Sequence, residues 1–410
     1  MEMRAYFLNR IMGYGLGIVG LASCGDDLSR QSYRTLDAMV AEVGGDVKGY
    51  ETRGYDGAKK DSFLVDTTAK DSTPDAVDMP ALPTGVTVDP DEPIIPKTEM
   101  EGAIYLTGCD NSKWQDGKTY VMDKDLVLDY TIVFDINQKK DITIDCQRHS
   151  IKPTVKGKGV GIVLNSSTNI TIKNCIIEDF ESGIVFLSSQ AVKVVYNNLQ
   201  SNVKGAEVLW NGGSTGASDD IYFFGNLVER GEVGIQVTNA NRTIIKENIF
   251  DSLSDDAIII YNLKSDTKSY ILNNSITGPS LHGITTLDSP NTVVKDNYVS
   301  GVTFGITISK SVFNVVTSNT VTGAMYGLMV NSSSAAIVAN NKVCASLDTD
   351  VICYLASEKP YNLAAPHTLL STGNKFATVD GCEEYGTTGS TPPMILWPVQ
   401  GVHYQECGKK

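Results

Sequence analysis

The chain has 410 residues, a formal charge of −14 and a sequence pI near 4.8, with 41% hydrophobic residues and a mean hydropathy of −0.09. That apolar content suffices for one large core or two ordinary ones, while the acidic balance excludes a nucleic-acid binder, which needs basic groups to displace counterions from phosphate. No run of eighteen apolar residues occurs, so no spanning helix is expected, and 37 glycines with an Asn-rich second half speak against a helical bundle.

The charge is uneven. Residues 25–100 hold sixteen Asp and Glu against eight Lys and Arg, a net of −8, whereas residues 101–410 carry −7. Residues 1–23 read as an export signal: Arg4 and Arg10 precede a short apolar stretch from Ile11 to Ala22. The stretch ends in Leu21-Ala22-Ser23-Cys24, which resembles a bacterial lipobox. The resemblance implies lipidation of Cys24, and Gly25 in place of Asp implies delivery to the outer membrane of a Gram-negative envelope. Residues 24–100 are expected to form an unfolded acidic tether. Pro74, Pro80, Pro83, Pro90, Pro93 and Pro96 crowd its end, it has no Trp, and its sole Phe is Phe63. One short helix is expected around Ser32–Val43, where Leu36, Met39 and Val43 fall at helical spacing.

The next element is a repeat. A small residue followed by alternating apolar positions recurs at Gly161, Gly183, Gly205, Gly234, Ala257, Gly283, Gly305 and Gly327, with spacings of 22, 22, 29, 23, 26, 22 and 22. In step with it run Asn174, Asn198, Asn226, Asn248, Asn274, Asn297, Asn319 and Asn341, each between two short strand-like segments. Three short strands per 22–29 residues predict an all-β solenoid of about eight to nine coils. No coil can bury its inward face alone, so each stacks on the next, and the Asn residues form a hydrogen-bonded structural ladder at a repeated bend. The pattern resembles the right-handed parallel β-helix repeat proteins of the pectin-lyase-like superfamily. It covers about residues 119–345, after a lead-in Asp141-Ile-Thr-Ile-Asp-Cys-Gln-Arg-His-Ser-Ile. The expected organisation is a β-helix with its N-terminal cap over 101–345 and an irregular C-terminal cap over 346–410. Such scaffolds serve hydrolases, lyases, epimerases and binding proteins alike.

Export leaves seven cysteines after lipidation. The pairings proposed from position are Cys344–Cys353, Cys382–Cys407 and Cys109–Cys146, with Cys175 left in the core as a small hydrophobe. The chain has four His, none at ligand spacing with Cys, so neither a metal site nor a cofactor is expected.

In enzymes of the superfamily, the resemblance implies, substrate lies along the outer face of the first strand of each coil. The repeat places Lys204, Glu207, Glu232, Gln236, Asp255, Asp256 and His282 there on consecutive coils, followed by Phe304 and Tyr326. Loops around Trp210–Ser218 and Leu263–Ser269 would overhang them. These residue types suit a polysaccharide: carboxylates, a histidine, and Trp210, Phe304 and Tyr326 as rings for sugar stacking. Asp255-Asp256 and His282-Gly283 further resemble the Asp-Asp and His-Gly elements of polygalacturonases. That likeness implies one Asp as general acid, the other activating water, and His282 tuning the acid. The family's third Asp aligns with Val233, with only Glu232 near, and its Arg-x-Lys after the His is missing; only Lys310 is in that area. The reading that follows is an exported, lipid-anchored protein, non-catalytic, binding polysaccharide or another extended partner and touching the membrane only through its anchor. The alternatives are a glycoside hydrolase using Asp255, Asp256 and His282, and a structural or adhesive rod.

Overall fold

A computed structural model describes residues 102–380, apart from 109–112, 130, 210–217, 264–266, 332, 334–335, 345, 355–368, 373 and 377–378. The expected signal peptide, Cys24, the tether and its short helix, Trp210, His367, His403 and the segment after 380 lie outside the described residues.

Three parallel sheets of 12, 11 and 11 strands run the length of the solenoid. Each coil contributes one strand to each sheet. The coil at Val160–Asn165, Thr168–Lys173 and Ile176–Glu178 shows the order, and the next repeats it at Ser182–Leu187, Gln190–Val195 and Asn198–Gln200. We refer to these as the first, second and third sheets. All eight repeat positions read from the sequence fall on the first sheet and in register: Ile162, Ile184, Ala206, Ile235, Ile258, Ile284, Ile306 and Leu328 pair in succession. Those side chains point inward and are buried to 1% exposure or less, so the core is one continuous column.

The small residue that opens each first-sheet strand is dictated by packing. A Cβ at Gly305 would lie 2.2 Å from the Gly327 carbonyl oxygen and 2.5 Å from the Val321 side chain, and Gly161, Gly183, Gly205, Gly234, Gly283 and Gly327 are equally crowded. The bends are dictated by backbone conformation. Tyr196, Glu247, Asn273, Asp296, Ser318 and Asn340 occupy the left-handed region between the second and third sheets, with Gly225 in the same slot on one coil. A left-handed residue turns the chain in a single step, and short polar side chains tolerate it best.

The Asn ladder forms, with two of its predicted members replaced. Its rungs are Asn197, Asn226, Asn248, Asn274, Asn297, Asn319, Asn341 and Asn374. From Asn226 onward each Oδ1 accepts from the backbone N–H and side-chain Nδ2 of the rung before it, and each Nδ2 donates to a second-sheet carbonyl, as Asn297 does to Ile271 at 2.9 Å. Asn174 is not a rung: it fills the left-handed slot (φ 54°), and Cys175 occupies the rung, donating its N–H to Asn197 Oδ1. Asn198 is likewise displaced by one, because Asn197 holds the rung and Asn198 begins a third-sheet strand.

The cysteine pairing differs as well. Cys146 bonds Cys175, not Cys109, with 4.7 Å between their Cα atoms. Cys175 is therefore a cross-link in the core rather than a free thiol. Both residues are at most 1% exposed, at the start of the ladder. The reason is register: successive coils bring the two bends within bonding reach, which linear spacing does not show. Closing a 29-residue separation is worth about 3.5 kcal/mol by chain entropy. Cys344 is also disulfide-bonded, and its partner lies outside the described side chains. The coil continues past the expected limit of 345: Thr349–Tyr354, Leu369–Thr372 and Lys375–Phe376 extend the first, second and third sheets.

The ladder makes a test. Asn297→Ala strands the buried Asn274 N–H and the Ile271 carbonyl, and at about 1–3 kcal/mol per unsatisfied group we expect a loss of about 2–5 kcal/mol. Asn198→Ala, beside the ladder, is expected to stay within about 0.5 kcal/mol. Urea unfolding midpoints of the two variants check the contrast.

Candidate functional site

The outer face of the first sheet changes character along the axis. Its first coils carry Ile132, Val160, Val163, Val185, Leu187 and Leu209, which pack into an apolar patch of their own. Polar groups then follow in register, since Lys204 pairs with Val233, Glu207 with Gln236, Asp256 with His282, His282 with Phe304, and Phe304 with Tyr326. Parallel pairing sets each step at about 4.8 Å. The described members of the predicted row lie on this sheet, except Glu232 and Asp255, which immediately precede their strands, and most of them gather into two clusters and a stack.

The first cluster is closed on itself. Lys204 Nζ donates to Glu207 Oε1 at 2.5 Å, and the Ser182 hydroxyl donates to Glu207 Oε2 at 2.5 Å. Glu207 is buried, so both carboxylate oxygens are engaged from within the sheet. This arrangement balances a buried charge and suits a structural role better than the ligand contact expected from the sequence. Ser182 stands one coil before Lys204 in the same column.

The second cluster joins Asp255, Asp256 and His282. Asp255 is 2% exposed and the other two are 6% exposed. Donor atoms from the three lie within 4.8 Å of one another, and His282 Nδ1 is 2.6 Å from Asp256 Oδ1. The backbone fixes this arrangement, because Asp255 N–H donates to the Glu232 carbonyl and His282 N–H to the Asp255 carbonyl. Glu232 therefore sits at Asp255's position one coil earlier, yet it is exposed and stands outside the cluster. Gln236, half-buried, lies between the two clusters along the sheet.

The aromatic residues form a stack. The His282 and Phe304 rings lie 4.9 Å apart, Phe304 and Tyr326 5.2 Å apart, each pair inclined by 21°. Both faces of Phe304 are thus covered by its neighbours, and only its edge remains for a ligand. Stacking also fixes the plane of the His282 imidazole. Of the other histidines, His149 approaches Asp125 at 3.3 Å on another face of the coil.

Sequence reading placed the row but missed two features. One is the compactness of the Asp255–Asp256–His282 cluster, which depends on register across a 26-residue step. The other is a serine ladder at the bend between the first and second sheets: Ser167, Ser189 and Ser218 bond in succession, as do Ser289, Ser311 and Ser333. The 22-residue recurrence of Ser289, Ser311 and Ser333 was visible in the sequence.

Residues 110–228 match the family model described as right handed beta helix region, and residues 208–348 match that of the periplasmic copper-binding protein NosD. No curated protein sequence matches. Among solved structures, the periplasmic alginate epimerase AlgG is 13% identical with a TM-score of 0.39, covering 68% of this chain and 80% of that one. The endo-xylogalacturonan hydrolase from Aspergillus tubingensis is 10% identical with a TM-score of 0.41, covering 68% and 91%. DFA-IIIase from Arthrobacter chlorophenolicus A6, in complex with GF2, is 11% identical with a TM-score of 0.41, covering 66% and 72%. The activities in those names belong to those proteins.

The Lys204–Glu207 pair carries a test of its own. Lys204→Met leaves a buried carboxylate without its cation and is expected to cost about 3–5 kcal/mol, whereas Lys204→Met with Glu207→Leu should recover most of that loss. A double-mutant cycle from denaturant unfolding measures it.

Register and inward ladders agree that the described residues form a parallel β-helix solenoid, and residues 110–228 match the right handed beta helix region model.

Proposed function

We propose that the protein is exported and binds a polysaccharide along the outer face of the first sheet, from Gln236 across Asp255, Asp256 and His282 to Tyr326. The observation that carries this reading is the in-register succession of polar and aromatic side chains on adjacent coils, after an apolar stretch of the same face. A row spaced at about 4.8 Å per coil fits an extended chain better than a compact ligand. Carboxylates accept hydrogen bonds from sugar hydroxyls and repel anionic groups, so a neutral polysaccharide is the favoured class. The Lys204–Glu207 pair shapes the margin of the face, and the edges of Phe304 and Tyr326 extend it. The periplasmic description of the family matched over 208–348 supports export, as does the apolar N-terminal stretch ending at Cys24. Lipidation of Cys24 would hold the protein at the envelope membrane.

A second reading, hydrolysis, is favoured by the 2.6 Å approach of His282 to Asp256 beside a second carboxylate. In it, one Asp protonates the leaving oxygen and the other activates water.

The first reading is checked by affinity electrophoresis in gels containing neutral or acidic polysaccharides. We expect retardation by a neutral polysaccharide, and at least about tenfold weaker binding for Tyr326→Ala, the order of one lost anchor. No retardation by any of them, with the protein folded, would leave a structural rod. The second reading predicts release of reducing ends that Asp256→Asn abolishes.

A further inference from the structure

We infer that Asp255, Asp256 and His282 form a binding site for a first-row divalent transition cation, with Zn2+ as the reference ion. The inference does not depend on the polysaccharide reading.

Three observations meet at this place. The first is convergence: one imidazole nitrogen and two carboxylates lie within 4.8 Å of one another. An ion at about 2.0–2.2 Å from each donor asks for donors no more than about 4.4 Å apart, which small side-chain rotations reach.

The second is the quality of the Asp256–His282 contact. Asp256 Oδ1 is 2.6 Å from His282 Nδ1, yet it accepts no hydrogen bond of acceptable geometry and is fully shielded from solvent. A tetrahedral ion at about 2.0 Å from each atom would open this contact to about 3.3 Å, a shift of under about 1 Å. Thr285 adds a buried hydroxyl with no hydrogen-bond partner, three residues after His282 on the same strand.

The third is charge. Two adjacent carboxylates with one imidazole sum to −2, or −1 if the ring is protonated, in a site at most 6% exposed. Burying such charge is costly, and a divalent cation cancels it.

The donor set selects the ion. One nitrogen and two oxygens suit Zn2+ and its neighbours, whereas Ca2+ seeks six to eight oxygens and Cu(I) seeks sulfur. The site is also pre-organised. His282 is pinned by the face of Phe304, and the backbones of Asp255 and His282 are tied to adjacent coils. A ligand whose rotamer is already fixed loses less entropy on coordination.

The test uses the full chain stripped with a chelator and titrated calorimetrically with zinc chloride, then with calcium and magnesium chlorides. We expect one Zn2+ per chain and much weaker binding of Ca2+ and Mg2+. Asp256→Asn and His282→Gln should each weaken Zn2+ binding at least tenfold, with circular dichroism confirming the fold. If His282→Gln does not fold, Asp255→Asn, which keeps side-chain shape, gives the same readout. Absence of stoichiometric Zn2+ binding by the unaltered chain would overturn the inference, as would unchanged affinity in the folded variants. So would Asp256-dependent release of reducing ends at full rate in saturating Zn2+, because the ion would occupy the oxygens that hydrolysis needs.

Discussion

The structure depends on parallel stacking of coils in strict register. Hydrogen bonds between neighbouring strands hold successive coils about 4.8 Å apart, and every other feature is written on that spacing. Because equivalent positions superpose, a residue type repeated at one position becomes a ladder. Inward Ile and Val become a column of core, and Asn at a bend becomes a chain of buried hydrogen bonds. The glycines belong to the same constraint, since the carbonyl of the next coil passes where a Cβ would sit. Stability is therefore distributed as a sum of neighbour contacts, as expected of a solenoid.

The fold was legible because its signal is periodic. The eight small residues of the repeat all lie on one sheet, and the insertion that stretches the spacing to 29 residues does not break the register. Legibility fell where the period met a local exception. Asn174 has the predicted residue type in the wrong slot: the left-handed bend and the ladder rung are neighbours, and Asn serves either. The Cys146–Cys175 bond is not legible from place along the chain, because the coils bring together bends that are 29 residues apart. After 345 the motif loses its glycine, and the sheets nevertheless continue.

The candidate site was legible as a list and not as an arrangement. The repeat alignment named Lys204, Glu207, Asp255, Asp256, His282, Phe304 and Tyr326, but alignment gives position, not engagement. Whether a carboxylate is held by its own neighbours, as Glu207 is by Lys204 and Ser182, depends on side-chain reach across coils. The same holds for the aromatic residues. Read singly, Phe304 is a platform for a sugar ring; stacked between His282 and Tyr326, it is a brace for the imidazole. What distinguishes Asp255, Asp256 and His282 is that donor atoms of three buried side chains lie within 4.8 Å of one another.

Since register underlies both the core and the site, a covalent measurement of register is the most direct test of the account. In the double variant Asp256→Cys/His282→Cys, adjacent coils place the two Cα atoms at about the separation a disulfide spans, and in Asp256→Cys/Phe304→Cys, two coils apart, they are about 10 Å distant. After mild oxidation, mass spectrometry of non-reduced peptides should find the cross-link in the first variant and not in the second. A cross-link in the second variant alone, or in neither with the protein folded, would contradict the stacking on which the account rests.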